Sequence, residues 1–227
     1  MELILSAIAA GGLVGAADQY LALLLVGIAS KVGWISLGEP MSFMGDWWFI
    51  ALSAIFWLVT LAPAYASLLS PGVMNVINSI SRFMSGFLVP LSAGLIALAS
   101  AGVIASMDPR LEEMLRSLRI FNGEGGIGAT GWVIGGSSAA VGVALTGMRA
   151  LAKPAASAHT GTTGTLDAPI FATLENVMTV VLLVGAYLLA KVDPWLIVAL
   201  LAVTILVIIG LMVFAIYQLI RLKRGIG

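Results

Sequence analysis

Long apolar stretches, separated by short clusters of charge, glycine and proline, constrain this chain more than any other feature. They cover about residues 3–30, 48–69, 88–106, 127–151, 167–190 and 194–220, and several approach the roughly 20 residues needed to cross about 30 Å of hydrocarbon. In lipid such a stretch has to be helical, because no water is present to pair with backbone N–H and C=O groups. Hydrophobic residues make up 60% of the chain and charged ones 10%, whereas soluble domains carry about a quarter charged residues. The 227 residues therefore read as a single all-α, polytopic transmembrane helix bundle of about six membrane segments. The lipid bilayer is its first partner.

The segments differ in kind. The first, about 3–30, is interrupted by Gly11, Gly12 and Gly15 and then by Asp18-Gln19-Tyr20. It is either one long tilted helix or two half-helices meeting in the membrane, and a break at that depth needs protein or water to shield the exposed backbone. Trp47 and Trp48 mark an interfacial anchor before segment two.

Two further stretches read as amphipathic helices. Over about 72–87, Val73, Val76, Ile77, Ile80, Phe83, Met84 and Phe87 recur at helical spacing opposite Asn75, Asn78, Ser79 and Arg82, as expected of a helix lying in the interface. Over about 109–121, Leu111, Met114, Leu115, Leu118 and Phe121 form one stripe. There Asp108-Pro109 supplies a cap and first residue, and early Glu112 and Glu113 with late Arg116 and Arg119 match the helix dipole.

Segment four is rich in glycine and serine. Gly131-x-x-x-Gly135 is a close-packing signature, offered either to neighbouring helices or to homo-oligomer or membrane-complex partners. Orientation rests on the basic residues. Six full crossings with both termini cytoplasmic put Arg82, Arg149, Lys153, Arg221, Lys223 and Arg224 inside and Lys31, Arg110, Arg116, Arg119 and Lys191 outside, with the dense C-terminal cluster favouring that choice.

Composition narrows the chemistry. Acidic and basic residues number 11 each and form no basic stripe, so nucleic acid is not an expected partner. Without cysteine there is no thiolate catalysis, and His159, the single histidine, builds no recognisable metal site and belongs to a loop. No cofactor is called for. The tract Gly161-Thr162-Thr163-Gly164 lacks the lysine and spacing of a phosphate loop, and is a candidate gate. No hydrolase or metalloprotease motif stands out, so an enzyme is not the expected reading.

Glu175 is the sharpest single residue, set with Asn176 about eight residues into an apolar segment. A carboxylate at depth costs at least ~2.5–3.5 kcal/mol, so it has to be paired or protonated and to face the bundle or water. An interhelical hydrogen bond or a buried pair, with Arg149 one candidate partner, is the structural explanation, and a proton, ion or substrate site the functional one. Asp167, two residues before Pro169, looks like a helix cap and lies too far from Glu175 to share a proton. Asp18-Gln19, if segment one breaks there, joins Glu175, Asn176, Ser137 and Ser138 in one polar centre.

Asp18-Gln19 precedes Leu-Leu-Leu-Val-Gly and then Lys31-Val32, while Glu175-Asn176 precedes Val-Leu-Leu-Val-Gly and then Lys191-Val192. This echo suggests that segments one and five are equivalent elements.

The Gly12–Gly33 block, Trp47-Trp48, the run from Pro71 through Asn78 to Gly94, and Thr160–Glu175 together resemble, over most of the chain, a bacterial family of multi-pass membrane proteins known only as a domain of unknown function (number four-one-two-six). Thr162-Thr163-Gly164, Ala168-Pro169 and Glu175-Asn176 correspond to its late Thr-Gly, Asn-Pro and Glu-Asp pattern. Asp18-Gln19 stands where the family's early arginine is expected. The resemblance implies a bacterial inner-membrane location and supplies no activity. A small transporter, channel-like or lipid-translocating protein with its polar site around Glu175 and Asp18 is the expected function. The alternative is a non-catalytic structural or assembly subunit of a larger membrane complex, for which a gapless bundle core is expected.

Overall fold

A computed structural model describes residues 1–66, 71–122, 125–157 and 167–225. The helices are α1 (Glu2–Leu13), α2 (Gln19–Lys31), α3 (Trp47–Ala66), α4 (Pro71–Ala105), α5 (Pro109–Ser117), α6 (Ala129–Ser157), α7 (Asp167–Val192) and α8 (Trp195–Gly225), with 3-10 turns at Val14–Ala16 and Met41–Gly45. The described residues form no strand. Four helices are long and apolar enough to cross a membrane, over Leu88–Ala105, Ala129–Arg149, Ala172–Val192 and Trp195–Phe214. Four helices thus meet the length and hydropathy of a crossing, where hydropathy along the sequence marks about six membrane segments. Segment one is divided into two short helices, and the apolar part of α3, Trp47–Ala62, is shorter than the other four.

The first segment folds back on itself. Ala17 and Asp18 are both extended, with φ −119° and −81°, and this ends the 3-10 turn and starts α2. At the start of α1 the Ser6 hydroxyl donates to the Pro194 carbonyl in the α7–α8 turn. At its far end Gly15 lies against Gly142, well along α6. From the break, α2 returns in the direction of α7, since Asp18 N–H meets Thr179 and, sixteen residues on, the Trp34 carbonyl meets Tyr187. Met1 and Lys31 therefore lie toward the same end of the bundle, and the α8 C-terminus lies at the other.

Small residues set the packing. Gly11 sits against Ala93 and Ala97 of α4 and Ser138 of α6, and Gly15 against Gly142 of α6, so the Gly11/Gly15 face of α1 meets the Ser138/Gly142 face of α6. Gly135 faces Gly94 of α4, and Gly131 lies under the Ile120 carbonyl. Gly131 and Gly135 thus pack within the chain, the first under the connection that follows α5 and the second against α4. The outward side of α6 carries Trp132, Val133 and Val143 instead.

The two amphipathic expectations diverge. Residues 72–87 are helical but continue without a break into 88–105 as α4, so they are not a separate helix; their faces fall outside the described side chains. α5 begins where Asp108-Pro109 predicts, with the Asp108 carboxylate accepting from Arg110 N–H, and it stops at Ser117 rather than Phe121. Its stripe packs inward, with Leu111 buried and Met114, Leu115, Leu118 and Phe121 against the core.

Candidate functional site at the hairpin tip

The break at Ala17–Asp18 exposes backbone groups that a continuous helix would satisfy, and polar side chains from three elements take them up. Asp18 Oδ1 accepts from Tyr20 N–H and Leu21 N–H at 3.0 and 2.9 Å, capping α2. The Asp18 N–H donates to Thr179 Oγ1 at 2.7 Å, and the Thr179 hydroxyl donates to the Glu175 carbonyl. From α6, Thr146 Oγ1 donates to the Gly15 carbonyl at 3.2 Å and Arg149 Nη1 to the Ala17 carbonyl at 3.0 Å. Irregular backbone at membrane depth is tolerated only when satisfied in this way.

Arg149 also reaches the acid singled out by sequence. Its Nη2 lies 3.7 Å from Glu175 Oε2, each side chain retaining about a fifth of its exposure, 21% and 23%. The structural explanation offered for Glu175, a pair with Arg149, is the arrangement found. One guanidinium thus ties α6 to both the hairpin tip and α7. Thr179 sits seven residues inside the apolar stretch of α7, about 10 Å along the axis at 1.5 Å per residue.

The candidate residues divide into those at the tip and those away from it. Asp18 and Glu175 are brought together through Thr179 and Arg149. Asn176 turns to α3, accepting from Trp57 Nε1 at 3.3 Å, and one turn lower Tyr65 and Thr173 share a hydrogen bond of 2.9 Å. Gln19 is buried in the first turn of α2. Ser138 is fully buried and donates to the Ala93 carbonyl at 3.0 Å, so it fastens α6 to α4. Ser137 is half-buried beside it. Neither joins the tip, because their level on α6 is that of Gly11 rather than Ala17. Asp167 opens α7, two turns from Glu175. Gly161, Thr162, Thr163, Gly164 and His159 lie outside the described residues.

Sequence reasoning passed over Thr146 and Thr179. A hydroxyl residue inside an apolar helix usually bonds its own preceding turn, as both also do here, and nothing in one-dimensional sequence marks their second partner. The echo between Asp18-Gln19 and Glu175-Asn176 has a limited counterpart. α2 and the part of α7 beyond Glu175 run side by side in one direction, but α1 turns away at the break whereas α7 is unbroken.

No family model matches the chain, and no similar curated protein or solved structure is found.

Proposed function

We propose that this chain is a small membrane transport protein, of the solute- or lipid-translocating kind, whose moving part is the α1–α2 hairpin and whose polar intramembrane site is the tip cluster of Asp18, Arg149 and Glu175. The observation that carries this reading is the double engagement of Arg149 with the Ala17 carbonyl and the Glu175 carboxylate. A proton, ion or polar headgroup that competes for Glu175 frees or redirects Arg149, and Arg149 holds the tip. That makes the tip a two-state element biased by what binds the acid, the requirement for coupling.

In the same reading α3, α4, α6, α7 and α8 cross the membrane and the hairpin enters and leaves by one face, in a bacterial inner membrane as the family resemblance implies. The end bearing Arg149, Lys153, Arg221, Lys223 and Arg224 is then cytoplasmic. The assembly-subunit alternative calls for a gapless core, and it is disfavoured by the cavity of about 210 Å³ lined by both arms of the hairpin.

The test uses proteoliposomes with two probes, pyranine for proton flux and a fluorescent phosphatidylglycerol for lipid scrambling. Activity above empty vesicles in either assay, reduced at least tenfold in Glu175→Gln, is expected. Flux that the variant leaves unchanged removes the proposed role of Glu175.

A further inference from the structure

Between the two arms of the hairpin, above the tip, lies a cavity of about 210 Å³. Its walls come from α1, α2 and the connection that follows it, α4, α7 and Ile197 of α8, and its side chains are alanine, leucine, valine and isoleucine except at Trp34, Ser100 and Tyr187. An apolar cavity of roughly 150 Å³ already stays dry and takes up benzene, so this one favours hydrocarbon over water. On α4 the lining runs from Ile96 to Ile104 and on α7 from Leu182 to Ala190, in each case about 12 Å at 1.5 Å per residue. The space is elongated along the helix axes, the shape of a chain rather than of a compact solute.

The end away from the tip has the opposite character. Trp34 lines the cavity while remaining 76% exposed, and its carbonyl accepts from Tyr187. The Lys191 ammonium lies over the Tyr187 ring at 4.6 Å, and Lys31, closing α2, lies over Trp47 at 5.5 Å. Aromatic rings with lysines beside them suit the headgroup layer. Of the acids toward this end, Asp193 accepts from Trp195 N–H and Glu39 from the Ser42 hydroxyl, while Asp46 is the chain neighbour of Trp47 and Glu2 opens α1. Neither lysine has a carboxylate within 4.0 Å among the described residues.

We propose that the space between the hairpin arms binds one hydrocarbon chain of an anionic membrane lipid, with its headgroup at Lys31 and Lys191. Two of its walls, α4 and α7, are helices long enough to span a membrane, so bilayer lipid is the ligand present at highest local concentration. The assignment requires membrane embedding but not transport, and its test reads no flux.

The full-length protein would be reconstituted in phosphatidylcholine vesicles doped with phosphatidylglycerol carrying a photoreactive diazirine at the end of one acyl chain. After irradiation, labelled peptides are mapped by mass spectrometry. Label within Ile96–Ile104 and Leu182–Ala190 at cavity-lining positions is expected, falling about tenfold in Ala186→Phe, which fills the cavity. Leu183→Trp gives a second filling variant should the first fail to fold, and the wild-type map needs no variant. Phosphatidylglycerol probe should label several-fold more than phosphatidylcholine probe, with the two equal in Lys191→Gln. Label confined to outward residues such as Leu206 and Val207, or cavity label unchanged in a folded filling variant, would overturn the site. Equal labelling by the two probes in the wild-type chain would overturn the anionic lipid.

Discussion

Arg149 and Glu175 lie on different helices with their charged atoms 3.7 Å apart, and the same guanidinium donates to the Ala17 carbonyl at 3.0 Å. This makes their removal unequal. Arg149→Met leaves both the acid and the carbonyl without that partner, and breaking a buried pair from one side costs about 3–5 kcal/mol. With a fifth of each side chain exposed, about 2–3 kcal/mol is expected here. Glu175→Gln should cost about 1 kcal/mol, the scale of one net hydrogen bond. Denaturant or thermal unfolding in detergent compares the two, and equal losses would contradict the double engagement.

Asp18 separates capping from charge. Asparagine caps a helix about as well as aspartate, whereas alanine loses about 1 kcal/mol. Asp18→Asn should retain the stability of the parent chain and Asp18→Ala should lose that amount in the same melt. If Asp18→Asn nevertheless alters flux in proteoliposomes, the carboxylate serves the site beyond holding α2.

Two glycines predict opposite outcomes. A side chain at Gly15 meets the Gly142 backbone, with Cα 2.7 Å from the added carbon, while nothing lies within 4 Å of Gly136. Gly15→Leu should destabilise by at least 1–3 kcal/mol, the cost of overpacking, and Gly136→Leu should be neutral. Size-exclusion profiles and melting temperatures of the two variants decide the matter.

Much of this was legible in the sequence, and the limits have physical causes. Apolar runs and the Asp108-Pro109 start are local signals, and the helical class and the beginning of α5 follow from them. Glu175 stands out because a carboxylate is costly in hydrocarbon, and Arg149 is one of the partners the sequence offers it. What hydropathy does not encode is direction. The glycines and Asp18 mark a weak point, yet only the fit of Gly11 and Gly15 against Ser138 and Gly142 makes α1 and α2 fold back instead of stacking end to end. Ser137 and Ser138 were grouped with the acids on polarity alone, and their height on α6 removes them. The cation beside Glu175 comes from Arg149 of α6.

A chain without cysteine allows the re-entrant course of the α1–α2 hairpin to be tested cleanly. Single cysteines at Glu2, Ser36 and Lys223 in sealed, uniformly oriented vesicles would be challenged with a membrane-impermeant maleimide. A re-entrant hairpin makes Glu2→Cys and Ser36→Cys react from one side and Lys223→Cys from the other. Labelling of Glu2→Cys and Ser36→Cys from opposite sides would contradict it, because segment one would then cross the membrane.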